Sequence, residues 1–139
     1  MAYSTIDDIQ RGLEKDAYNE LGQDDSGTNN ADTALVESLI AEADSLIDGY
    51  ISPRYTTPLT TVPAMIRRFS VVITKYYLHM RRIWTKDDNI GYEYEDVKKD
   101  LEAIRDGKMD IPGATLSSSV SGYFGAETQQ FTRTTMCGF

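Results

Sequence analysis

The chain has 139 residues, a formal net charge of −8, one cysteine and one histidine. This length suits one domain with a modest core, a lone Cys137 excludes a disulfide within a monomer, and no apolar run approaches the roughly 20 residues a membrane helix needs. The opening M-A-Y-S-T-I-D-D lacks the basic-then-apolar order of a signal peptide, so a cytoplasmic setting is expected.

The charge is segregated along the chain. Between Asp7 and Asp48 acids dominate, with only Arg11 and Lys15 of opposite sign. From Arg54 to Lys86 the charges are Arg54, Arg67, Arg68, Lys75, Arg81, Arg82 and Lys86, with no acid. Two packed helices of opposite sign would attract each other. Alternatively, the two signs lie on opposite flanks and copies stack head to tail around a ring.

Ser4 and Thr5, followed by Asp7 and Asp8, resemble a capping box that opens a short helix with Ile6, Ile9 and Leu13 on one face. Leu13, Ala17 and Leu21 predict a second small turn of helix ending at Gly22. Residues 23–32 form a polar loop. Its Asp24, Ser26 and Thr28 alternate like calcium ligands, but Asn29 and Leu35 stand where that loop requires glycine and glutamate, so no metal is expected. Asn30 or Asp32 caps the next helix. Over Thr33–Ile51, Val36, Ile40, Ala43, Ile47 and Tyr50 recur at helical spacing, with Leu39 and Leu46 alongside; Glu37, Glu42, Asp44 and Asp48 form an acidic face expected to be solvated or to meet something positive.

Residues 46–63, L-I-D-G-Y-I-S-P-R-Y-T-T-P-L-T-T-V-P, then break the periodicity. Pro53, Pro58 and Pro63 each remove an amide donor and bias the preceding residue away from helix, which predicts two rods joined by a stiff, nearly extended connector. Arg54 and Tyr55 lie just beyond a helix C-terminus, where a cation is favoured. Pro63 opens the next helix, with Ile66, Phe69, Ile73, Tyr76, Met80 and Ile83 as its stripe, widened by Met65, Val72 and Tyr77; it is the expected centre of the core. Trp84 near its end packs in the core or anchors an interface. After K-D-D-N (residues 86–89), Ile90, Tyr94, Val97, Leu101 and Ile104 predict a last helix closing at Gly107, with mixed charges on its outer face.

Beyond Lys108 the helical period ends and Ser, Thr and Gly dominate. The expected organisation is a helical domain over 1–107, a small bundle of four main helices, and an extended C-terminal arm over 108–139. The arm carries Tyr123, Phe124, Phe131, Met136 and Phe139, apolar residues that need a partner, and its Q-F-T-R-T-T favours extended backbone. These features predict addition to a neighbouring subunit as a strand or clamp.

A catalytic constellation is hard to assemble. His79 sits within an apolar-striped helix, and no serine-histidine-acid set, glycine-rich phosphate loop or cysteine-histidine spacing is present. Neither enzyme activity nor a cofactor is expected. Arg67, Arg68, Lys75, Arg81 and Arg82 on one helix could contact phosphates, against a net charge that opposes DNA at long range. A helical DNA-binding or DNA-packaging accessory protein is therefore the alternative reading.

Y-S-T-I-D-D-I (residues 3–9), A-x-x-x-I-D-G-Y-I (43–51), R-Y-x-x-P-L-x-x-V-P (54–63) and F-x-R-x-x-M-x-G-F (131–139) together resemble a Mu-like phage and prophage family of unknown function. Such proteins are similar to the head-tail connector, or adaptor, proteins of tailed phages. The resemblance implies an oligomeric ring, often twelve-fold, at the head-tail junction of the virion, assembled in the bacterial host cytoplasm. Its implied partners are further copies of itself, the portal, a tail terminator or other tail proteins, and DNA that passes through without sequence-specific binding; no membrane is involved. At matched positions it implies protein-contact roles for Arg54, Tyr55, Phe131, Arg133 and Phe139, to which the arm adds Tyr123 and Phe124.

Overall fold

The computed structural model describes residues 2–23, 31–82 and 88–117, and its regular structure is helical throughout: α1 (Ile6–Gly12), α2 (Lys15–Gly22), α3 (Thr33–Ile51), α4 (Ala64–Arg81) and α5 (Asp88–Arg105). Three long helices thus form the body and two short ones flank it. The only pairings of β type among the described residues are isolated antiparallel bridges, Gln23 with Ala31 and Tyr55 with Leu116.

Local chemistry sets the boundaries. Thr5 caps α1: its hydroxyl accepts from the Asp8 N–H, and the Asp8 carboxylate accepts from the Thr5 N–H at 3.0 Å. This is the expected capping box, carried by Thr5 and Asp8. The anticipated second turn is a full two-turn helix, α2. A β-carbon on Gly22 would stand 2.6 Å from the Ala31 side chain, so only glycine lets the chain close there, with the Asp32 N–H donating to the Gly22 carbonyl at 2.8 Å. Asp32 caps α3 through the Ala34 N–H. At the end of α5, Gly107 takes φ +81°, and Lys108 and Gly107 donate back to the carbonyls of Ala103 and Ile104. That pair of bonds is a Schellman closure, which needs a left-handed residue at this position.

The core has two parts. The larger lies among α3, α4 and α5, where Ala43, Ile47, Ile66, Phe69, Ile73, Leu101 and Ile104 meet Tyr3, Tyr55, Leu59 and Ile111 from outside the helices. The smaller gathers Ile9, Tyr18 and Leu21 of α1 and α2 with Val36, Leu39, Ile40 and Leu78. α4 contributes to both and touches every other helix, so it is the central element that its wide stripe predicts. Each fully buried Ile, Leu or Phe is worth about 1.5–3 kcal/mol.

Three expectations change. Met80 is solvent-exposed and Leu78 is buried instead. The last turns of α4 bury the face directed at α1 and α2, a face that the Tyr76 to Met80 spacing misses. Asp44, placed on a face expected to be solvated or to meet something positive, is buried against neutral hydroxyl and amide groups. The connector is also not simply extended: residues 52–54 turn, the Thr57–Pro58 bond is cis, and bends follow at 57–58 and 60–61. Prolines fix their own angles but leave the overall path to contacts with distant residues.

Candidate functional site

Two neighbouring regions gather the polar chemistry of the described residues. The first is where the connector meets the start of the arm. Arg54, largely buried, donates from Nη1 to the carbonyls of Ile104 (2.8 Å) and Met109 (3.2 Å), and from Nη2 to Asp110 Oδ1 (3.0 Å). Its guanidinium therefore caps the C-terminus of α5, where unpaired carbonyls concentrate. The sequence suggests a cap for α3 or a pairing with Asp48; the fold delivers α5 and Asp110 instead. Tyr55 is buried, and its hydroxyl accepts from the Ile111 N–H (3.0 Å) and donates to Asp110 (3.3 Å). Both residues are engaged within the subunit.

These contacts hold the beginning of the arm. Ile111 is in the core, with Met109 and Ala114 packed against it. A short ladder follows, in which the Thr56 N–H donates to the Thr115 carbonyl (3.0 Å) and the Ser117 N–H to the Arg54 carbonyl (2.9 Å). Tyr123, Phe124, Phe131, Arg133 and Phe139 lie outside the described residues, as do Asp24, Ser26, Thr28, Asn30, Ile83, Trp84 and Cys137.

The second region is an acidic groove of about 830 Å³ between residues 2–7 and α3, with Asp7, Glu37, Ala41, Ser45, Asp48 and Pro58 on its walls. A buried polar network stands beneath it. The Tyr3 N–H donates to Asp44 Oδ2 (2.8 Å), Ser70 Oγ donates to Asp44 Oδ1 (2.7 Å), and the Ser4 hydroxyl lies 2.8 Å from that of Ser70. The Tyr3 hydroxyl bonds the Asp48 carboxylate and accepts from the buried Leu59 N–H at 3.1 Å. Burial raises the Asp44 carboxyl above its ordinary range, with the bonds from Ser70 and Tyr3 opposing that shift. Burial and the Asp48 contact push the Tyr3 phenol up to about 12, so it stays a proton donor. Nothing in the α3 periodicity marks Asp44 as different from Glu37 or Glu42. The available signal was the pairing of an apolar, hydroxyl-rich Tyr3-Ser4 with acids at i and i+4 on α3.

On α4, Arg67, Arg68 and Arg81 are exposed, while Lys75 pairs with Glu93 at 3.6 Å. Among the described residues no ion pair joins α3 to α4, although the two helices pack together. Beside Lys75, Tyr76 stacks on Tyr94 with ring centres 4.0 Å apart. No group of three or more acidic, histidine or cysteine side chains among the described residues is placed to hold a metal.

Residues 3–125 match the family described as Bacteriophage Mu, Gp36. The chain belongs to that family. Gene product J of Escherichia phage Mu is 31% identical over 121 residues, which cover 87% of this chain and 83% of that protein. The Mu-like prophage FluMu protein gp36 of Haemophilus influenzae is 34% identical over 80 residues, covering 58% of this chain and 55% of the relative. The Gp36 match takes in the capping box, the polar network, the connector and the ladder at residue 116. No described helix is long and apolar enough to cross a membrane.

Proposed function

We propose that this Gp36-family chain is a structural protein of a Mu-like phage or prophage virion: a head-tail connector, or adaptor, that forms an oligomeric ring between portal and tail. The observation that supports the reading is that, among the described residues, no ion pair joins α3 to α4. The exposed Glu37 and Glu42 of α3 and Arg68 and Arg81 of α4 therefore offer both signs to a neighbouring copy. A heterologous contact of this kind repeats around an axis and closes into a ring. An acidic excess on such a ring suits a channel through which DNA slides without adhering. Arg54 and Tyr55 hold the root of the arm at residues 109–111, and on this reading its apolar residues contact the next copy, the portal or a tail protein.

The test is to mix the purified chain with its portal and measure mass and negative-stain images with and without it. A ring that appears on the portal, with no DNA retention, is the expected result. Recovery of a DNA complex whose affinity falls steeply with salt would replace this reading with DNA binding through Arg67, Arg68 and Arg81.

A further inference from the structure

We infer that Leu116 presents an open strand edge that takes residues 131–135 of a second copy as an added strand. This inference rests on the ring reading above and specifies one of its contacts.

The ladder between 54–56 and 115–117 defines the edge. Thr115 uses its carbonyl and Ser117 its amide toward the connector. In an antiparallel pair, successive residues point their backbone groups to opposite sides. The Leu116 amide and carbonyl therefore face away from the connector, and they make no hydrogen bond among the described residues. Leu116 as a residue is 47% exposed, unusual for a leucine in this fold. Next along the chain, Ala114 and Thr115 line a small trough with Thr56, Pro58, Leu59 and Thr61. The edge thus offers one donor, one acceptor and an apolar floor, the requirements for strand addition.

The occupant follows from the rest of the chain. F-T-R-T-T (131–135) has the β-branched and aromatic content of a strand, and Phe131 supplies an apolar side chain for the trough. Pairing with the chain's own edge would require a closing loop over residues 117–130, much longer than the 2–5 residues usual in hairpins. A neighbour avoids that closure. Residues 118–129, at about 3.3 Å each, span up to roughly 40 Å, against a radius of gyration of about 14 Å for a domain of this size.

The experiment uses the full chain carrying Cys137→Ser, assembled with portal. One preparation carries Leu116→Cys, and a second, differently tagged, carries a single cysteine at each position from 131 to 135 in turn. Facing strand residues have α-carbons about 4.5–5.5 Å apart, within disulfide range. Mixed assemblies should form disulfides between the two tagged chains, several-fold more at alternate positions than at those between. Uniformly low yield in assembled rings would overturn the inference and leave the adaptor reading standing. Disulfides within one doubly substituted chain, in place of the mixed product, would assign the strand to its own subunit and also overturn it. Failure of the chain to assemble at all would overturn both. Leu116→Pro provides a second arm: it removes the outward amide while sparing the bonds of Thr115 and Ser117. It should leave the unfolding midpoint of the body near that of the unsubstituted chain and abolish the cross-links to 131–135 when the cysteine is moved to Thr115. Retained cross-links with alternate periodicity in that variant would count against the hydrogen-bonded edge.

Discussion

Replacing Asp44 separates the hydrogen-bonding role of this buried carboxylate from its charge. Asp44 accepts from the Tyr3 amide at 2.8 Å and from the Ser70 hydroxyl at 2.7 Å, both buried. In Asp44→Ala, Ser70 can turn to Ser4, but the Tyr3 amide loses its partner. An unsatisfied buried donor costs about 1–3 kcal/mol, partly offset by the desolvation the carboxylate no longer incurs. The expected net loss is about 2 kcal/mol, or roughly 5–10 °C in unfolding midpoint for a domain of this size. Asp44→Asn can restore both contacts: its oxygen accepts from Tyr3, its amide donates to Ser70 Oγ, and Ser70 donates onward to Ser4. It should cost less than about 1 kcal/mol. Because the folded carboxyl titrates above its unfolded value, the folded state binds the proton more tightly. The unsubstituted chain should therefore gain stability relative to Asp44→Asn as pH falls from neutral through that raised value, and the gain should level off below the unfolded value. Urea unfolding at several pH values measures all of this. Equal losses in the Asn and Ala variants, or a relative stability that falls on acidification, would refute the reasoning.

Arg54→Ala should lower stability by about 2–3 kcal/mol by uncapping α5 and releasing residues 109–110, and Arg54→Lys should recover less than half of that because an ammonium cannot fork between the carbonyls and Asp110; denaturant titration gives both values. Tyr3→Phe leaves the buried Leu59 amide unpaired and should cost about 1–2 kcal/mol, with amide exchange at Leu59 rising more than at Ile73. Gly107→Ala places a β-carbon on a residue at φ +81° and should cost about 1–2 kcal/mol, read as a lower thermal midpoint. Acidification should also weaken the α1 cap, since the Thr5 amide bond holds the Asp8 carboxyl below its usual range; that contribution is present above the unfolded value and lost as pH falls through the folded one.

Periodicity alone revealed the three long helices, because each turns an apolar stripe toward neighbours at three- and four-residue spacing. Gly107 and the Thr5 to Asp8 box marked ends whose chemistry is local. The polar network was hidden for the opposite reason: Asp44 differs from the exposed Glu42 only in what lies across from it, and Tyr3 and Ser70 are distant in sequence. The same holds for Arg54, whose position after α3 predicts a cap there, whereas its ligands come from residues 104–110. Met80 and Leu78 exchanged roles because the packing of α1 and α2 against the end of α4 is a tertiary choice. Proline spacing signalled the connector, but its turns are set by the two tyrosines that hold it.

Those two tyrosines also impose an order on synthesis. The connector is fastened from the N-terminal side by the Tyr3 phenol at Leu59, and from the C-terminal side through Tyr55 at Ile111. Both fastenings bridge 56 residues. A chain emerging from the ribosome can therefore make the first as soon as residue 59 is free, but it must wait for Ile111 to make the second. Arg54 finds its acceptors just before that, as residues 104–110 emerge, and until Ile111 follows the central helix lies beside an unsealed seam. A nascent or clipped chain lacking residue 111 would expose that seam to chaperones and proteases.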